Sequence, residues 1–191
     1  AIIMIAKRVI PYLFAVLGTA MCVLECGFTI LCLRNVVFLN TLLYLSVIDW
    51  YHYMIPDKAL WIAILVWLGC IPFAFTAYGG VSGVLGTILC AIAFGGGILV
   101  FTLIMDRLLQ KETMGGGDIK LFAVLGLYLG MPNALLAMML SCVFGLCFAL
   151  LCIGRGRPQI PFGPSIALAG WIMLLYGDFV VDWYIKMIDR K

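Results

Sequence analysis

Long apolar runs separated by short polar breaks dominate the chain, and their spacing predicts seven membrane-spanning helices. The expected spans cover residues 10–33, 36–53, 59–78, 83–105, 118–130, 134–153 and 165–176. Each break has its own chemistry. Arg34-Asn35 separates the first two runs, and Met54-Ile55-Pro56-Asp57 ends the second. Gly79-Gly80 and Met131-Pro132-Asn133 close the third and fifth. Two longer polar loops, 106–117 and 154–164, follow the fourth and sixth. The pattern predicts an all-α polytopic membrane protein. A leading helix occupies 1–35, a six-helix core 36–177, and a tail 178–191 with Trp183 and Tyr184 among charges suits the membrane interface. Gly95-Gly96-Gly97 inside the fourth run is expected where two helices approach closely.

Composition sharpens this picture. The 191 residues are 65% hydrophobic and 11% charged, far too few charges to cover the surface of a water-soluble domain of this size. The net charge of +3 is spread through the breaks and forms no basic patch, so nucleic acid is not an expected partner and the lipid bilayer is. With the N-terminus inside, cytoplasmic segments carry Lys7, Arg8, Lys58, Arg107, Lys111, Lys120, Arg155 and Arg157. The external breaks carry Arg34 alone, and the tail adds Lys186, Arg190 and Lys191. The excess of positive charge places the breaks after the second, fourth and sixth spans in the cytoplasm. The first apolar run is longer than a signal peptide's and no small-residue cleavage site follows it.

Eight cysteines lie in or beside apolar segments, none in a C-x-x-C pair, and His52 is the single histidine. That pattern lacks the clustered ligands of a metal site, so the cysteines read as small packing residues and no metal or other cofactor is expected.

The acids carry the candidate chemistry, because an ionisable group in a spanning segment is costly and by default marks function. Asp178, Asp182 and Asp189 belong to the tail, and Asp106 and Glu112 to the polar loop. Glu25, in the first span, reads as a polar contact between helices. Asp57 follows Pro56 at the start of a helix, where its carboxylate would cap free backbone amides. Asp49 and Asp118 remain. Asp49 precedes the expected helix end at Tyr53 by about 6 Å, and Asp118 opens the fifth span after Gly115-Gly116-Gly117. Both therefore approach one interface from different helices. Two facing carboxylates can share a proton, one serving as base toward water while the other protonates an amide. The glycines suit a backbone that must lie against an extended peptide, and they equally suit an ordinary connector before a helix.

Three segments together resemble the type IV prepilin peptidases, membrane aspartic proteases of the GxGD kind. The run Asp49-Trp50-Tyr51-His52-Tyr53-Met54-Ile55-Pro56-Asp57 is similar to their first motif. Gly115-Gly116-Gly117-Asp118-Ile119-Lys120 resembles their second, G-x-G-D-x-K. Pro161-Phe162-Gly163-Pro164 is similar to a turn before their last helix. The resemblance covers about residues 36–176 in the family's order. It implies Asp49 and Asp118 as a catalytic pair, with the glycines, Pro56, Asp57, Lys120 and the Pro161–Pro164 turn in support. The implied partners are type IV prepilin or pseudopilin N-terminal segments, cut after a Gly and before a hydrophobic helix on the cytoplasmic side of the inner membrane. Bifunctional members add an N-terminal domain with paired C-x-x-C motifs and methylate the product; the resemblance here is to the shorter peptidase-only form with one extra leading span. Lys120 could hold a carboxylate ionised or simply anchor the cytoplasmic face. A presenilin-like or preflagellin protease, and a non-catalytic transporter or assembly subunit that relays protons through the acids, are the alternatives.

Overall fold

A computed structural model describes residues 2–77, 79–153 and 161–188 of the chain. Seven α-helices succeed one another with no strand among the described residues. They are α1 (Ile2–Cys26), α2 (Ile30–His52), α3 (Asp57–Ala74), α4 (Gly80–Leu109), α5 (Gly116–Leu129), α6 (Asn133–Ile153) and α7 (Gly163–Ile188). Helix is the expected answer here, since a bilayer offers backbone groups no water and a helix satisfies them internally.

Short α5 sits at the centre. Leu121, Phe122, Val124, Leu125, Leu127 and Tyr128 are all buried on it, so it is covered on nearly every side, as an apolar helix without a polar face must be. Helix α2 packs on α1, α3 and α7, while α7 also meets α6 and α5. The core runs from Phe38, Leu42 and Leu45 of α2 through Ala63 and Trp67 of α3 and α5 to Ile166 and Met173 of α7. Phe38 stacks on Tyr128 with ring centroids 3.8 Å apart, and the Tyr128 hydroxyl donates to the Ala63 carbonyl at 2.7 Å. Outside this core, α4 and α6 expose Leu89, Ile92, Phe101, Met139, Val143 and Leu146, a surface suited to hydrocarbon and not to water. Among the described residues four helices, α2, α4, α6 and α7, are long and apolar enough to cross a membrane. At 14 residues, α5 spans about 21 Å, less than the roughly 30 Å of hydrocarbon; it stays inside the protein instead.

The boundary between the first two helices differs from the sequence expectation. Gly27, at φ +63°, ends α1, a conformation glycine adopts without a Cβ penalty. The Thr29 side chain then caps α2 by accepting from the Cys32 amide at 3.3 Å. Arg34 and Asn35 are therefore not a break but buried members of α2, and residue 35 is not a helix boundary. Arg34 is 7% exposed. Its guanidinium donates to Asn35 Oδ1 at 2.9 and 2.7 Å and lies 5.2 Å from the Tyr128 ring centroid. Such local pairing is what makes an intramembrane arginine tolerable.

The last helix is longer than expected. It does not stop at Tyr176 but continues through Ile188, carrying Asp178, Asp182, Trp183 and Tyr184, so the tail is a helical extension. Gly177 lies within it, close against Asn133, whose amide donates to Asp178 Oδ1 at 3.0 Å. Residues 189–191, with Asp189, Arg190 and Lys191, lie outside the described residues, as do 154–160 with Arg155 and Arg157. Of the expected glycine contact in α4, Gly95 alone makes it: a Cβ there would be 2.7 Å from the Ala123 Cβ, whereas Gly96 and Gly97 face open space. Glu25 is exposed and lines a polar cavity of about 510 Å³ with Arg34, Asn133 and Asp178, far along α2 from Asp49.

Candidate active site

In an up-and-down bundle the connections after α2, α4 and α6 fall at one end, and Asp49, Asp57, Asp118 and the Pro161–Pro164 turn belong to that end. Asp49 lies in the last turn of α2. Its carbonyl accepts from the amide of Tyr53, the left-handed residue that terminates the helix. Asp118 lies in the first turn of α5, whose N-cap is Gly115 and whose first residues are Gly116 and Gly117. The Asp118 amide donates to the Gly115 carbonyl at 3.0 Å. Gly163 opens α7 immediately after the buried Pro161 and half-buried Phe162.

The two carboxylates share one neighbourhood. Asp49 is 6% exposed, and Asp118 is within electrostatic reach of it. Asp49 Oδ2 accepts the backbone N–H of Gly163 at 2.8 Å. Asp118 Oδ1 is buried with no hydrogen-bond partner in the protein. A buried carboxylate oxygen left unpaired is costly, so it needs a donor from outside the described side chains. A water and a substrate amide are each able to satisfy it.

Neighbouring residues lock the three segments together. A Cβ on Gly117 would lie 2.8 Å from the Ile55 Cβ, so the segment before α3 packs directly on the start of α5. Lys120 Nζ is 2.7 Å from Asp57 Oδ1, joining α3 to α5 a second time. The Phe162 ring lies against Gly145 of α6 and 6.3 Å from the Phe122 ring of α5. Trp50, next to Asp49, meets Phe148 of α6 edge-on at 6.2 Å.

Two expectations for this region need correction. Asp57 is not the cap of α3: Pro56 holds the N-cap position, no side chain bonds there, and Asp57 is the first helical residue. Pro56, with φ fixed near −71°, starts the helix one residue earlier than the capping argument requires. The Asp57 carboxylate is thereby free to reach Lys120, which pairs with it and not with the two candidate acids. Nor are the three glycines a bare loop. Gly116 and Gly117 are helical, and the space a side chain would fill at 117 is taken by Ile55. Gly116 faces open space, and a Cβ at Gly115 would be 3.4 Å from Asp118 Oδ2.

Phe122, Phe148 and Met114, which packs on the core, have no role in the sequence reading, and Ile55 enters it only as part of the first motif. For Phe122 a signal existed: it lies four residues after Asp118 and so on the same helix face. The polar loop is also ordered by contacts of its own. Asp106 Oδ1 accepts both the Thr113 amide at 2.7 Å and its hydroxyl at 2.6 Å, folding the loop back on the end of α4. Among the described residues no three His, Cys, Asp or Glu side chains gather as a metal site would require.

Comparison with known proteins gives the same direction. The sequence model of the type IV leader peptidase family matches residues 36–150. A prepilin leader peptidase/N-methyltransferase of Stutzerimonas stutzeri is 33% identical over 150 residues, 76% of this chain and 50% of the relative. One from Aeromonas salmonicida is 35% identical over 154 residues, 75% of this chain and 49% of the relative. Another, from Bacillus subtilis, is 30% identical over 186 residues, 95% of this chain and 69% of the relative. The chain thus spans about half the length of the first two. No solved structure matches it. On the family model and these relatives together, the chain belongs to the type IV leader peptidase family.

Proposed function

We propose that this chain is a membrane aspartic endopeptidase that removes the short basic leader of type IV prepilins or pseudopilins, with Asp49 and Asp118 as its catalytic pair. The observation that carries the reading is that the two acids, on separate helices, lie within electrostatic reach of each other, with Asp118 Oδ1 buried and without a hydrogen-bond partner in the protein. In this mechanism one carboxylate takes a proton from water as the water oxygen attacks the scissile carbonyl. The other gives its proton to the amide, and the C–N bond then breaks with the amine leaving protonated. No side-chain nucleophile takes part. Pro56, Asp57, Gly115, Gly116, Gly117, Lys120 and the Pro161-Phe162-Gly163-Pro164 turn act as supports; the contacts of Gly117 with Ile55, Lys120 with Asp57 and Gly163 with Asp49 tie α2, α3, α5 and α7 together around the pair.

The proposed working unit is α2 to α7, with α1 as a leading helix, in an inner membrane with the N-terminus and the site on the cytoplasmic side. The connections at the far end of the bundle, 27–29, 75–79 and 130–132, hold no Lys or Arg. The near end carries Lys58, Arg107, Lys111 and Lys120, against Arg34 and Lys186 in the helix ends opposite. That asymmetry supports the orientation.

The test is cleavage of a panel of purified prepilins by the purified chain in nanodiscs, with N-terminal sequencing of the product. A single cut after Gly before the hydrophobic segment supports the reading. Intact substrates, together with proton-coupled transport in vesicles, would replace it with the relay model.

A further inference from the structure

Helix α7 begins with an unusual distribution of backbone donors. The first amides of any helix lack intrahelical partners. In α7, Pro164 has no N–H, and Ser165 and Ile166 donate back to the Phe162 carbonyl at 3.0 and 3.2 Å. Gly163 donates outward, across 114 positions of sequence, to Asp49 Oδ2 at 2.8 Å. A Cβ at this position would lie 2.7 Å from Asp49 Oδ2, 2.9 Å from its Cγ and 3.0 Å from its Cβ. Any side chain would therefore displace the carboxylate or the helix, and the close approach is available to glycine alone. The turn itself is held from several sides: Pro161 is fully buried, and Phe162 is wedged against Gly145 and Phe122.

The geometry points to Gly163 as a positioning residue whose backbone N–H fixes one oxygen of Asp49, so that the other oxygen is presented to water and to Asp118 in a constant orientation. A side-chain donor could rotate away; a backbone donor clamped between α5 and α6 cannot. The helix N-terminus adds its partial positive charge to the same carboxylate. Pro-Phe-Gly-Pro is thereby a third component of the site: prolines on both sides limit the turn, Phe162 anchors it, and Gly163 supplies a donor with no steric bulk. The assignment rests on the reading of Asp49 as catalytic, and the experiment separates the two.

Residue 163 is replaced by glycolic acid through nonsense suppression, which turns the amide into an ester and deletes the N–H without adding bulk. Leader cleavage is measured in nanodiscs beside wild type, Gly163→Ala, Asp49→Asn and Gly86→Ala, a helical glycine facing open space. For the ester, kcat should fall about ten- to a hundred-fold, the scale of a lost hydrogen bond to a carboxylate. KM and the melting temperature should hold, because the group orients a reacting atom and does not bind substrate. Gly163→Ala should fall further, and Gly86→Ala should match wild type. An ester variant with wild-type kcat beside an inactive Asp49→Asn overturns the positioning role and leaves the catalytic pair standing. A raised KM or lowered melting temperature at unchanged kcat makes the contact merely structural and also overturns it. An active Asp49→Asn overturns the catalytic reading itself.

Discussion

Ile55 and Gly117 are in van der Waals contact at the junction of two segments separated by the whole of α3 and α4: a Cβ at position 117 would stand 2.8 Å from the Ile55 Cβ and 3.4 Å from its Cγ1. Since Gly117 directly precedes Asp118, this contact sets how far the first turn of α5 can approach the end of α2. Gly117→Ala should therefore push the two carboxylates apart. The expected outcome is at least about a ten-fold loss of cleavage, since misplacement of a reacting group by about 1 Å is enough to cost a hundred-fold. Gly117→Ala activity equal to wild type at matched protein levels would show that the spacing does not depend on this contact.

Asp57 and Lys120 form an ion pair whose side chains are each 57% exposed. Exposed pairs contribute about 0–1 kcal/mol. Asp57→Asn and Asp57→Ala should thus behave alike, with modest effects on melting temperature and cleavage, and the exchanged pair Asp57→Lys/Lys120→Asp should recover most of any loss. A capping role makes a different forecast, with alanine clearly worse than asparagine. Thermal melting of the three variants in nanodiscs decides between them.

Gly126 and Gly97 offer a contrast in stability. A Cβ at Gly126 would lie 3.2 Å from the Ala91 Cα and the Cys90 carbonyl, both backbone atoms of α4 that side-chain rotation cannot clear. Gly126→Ala should destabilise the α4–α5 contact by about 1–3 kcal/mol, as overpacking does. Gly97 faces open space, and Gly97→Ala should be neutral or slightly stabilising. Equal melting temperatures for the two variants would contradict this account of the helix interface.

The apolar runs made seven helices legible, because an apolar stretch of membrane length has few alternatives. The errors in helix boundaries share a physical cause: in a sequence, charge reads as an exit from the membrane. Arg34 looks like such an exit but is paired inside α2, whereas the true break at Gly27 and Thr29 carries no charge. Asp178 and Asp182 likewise hid the continuation of α7. Around the candidate site, the family resemblance points to Asp49, Asp118 and the Pro161–Pro164 turn. It could not reveal that Gly163 touches Asp49, that Ile55 fills the space beside Gly117 or that Lys120 reaches Asp57. Those are contacts between segments far apart in sequence, and only packing creates them.

Asp106 gives a prediction about the polar loop. Its Oδ1 accepts two bonds from Thr113, so Asp106→Ala should release the segment before Gly115. Added protease should then nick residues 110–114 faster than in wild type. Thr113→Val, which keeps the backbone donor but loses the hydroxyl, should give an intermediate rate. Identical nicking in all three proteins would show that these bonds do not order the loop.

The central claim is that Asp49 and Asp118 act as one unit. Its most direct test is single-turnover cleavage of a prepilin by Asp49→Asn, Asp118→Asn and the double variant in nanodiscs, with folding checked by circular dichroism and melting. Groups that share one chemical task are strongly non-additive. Each single variant should therefore fall to the background rate, and the double should be no slower than either. A folded single variant that keeps a substantial fraction of wild-type activity, or a double variant whose loss is the product of two moderate losses, would contradict the account.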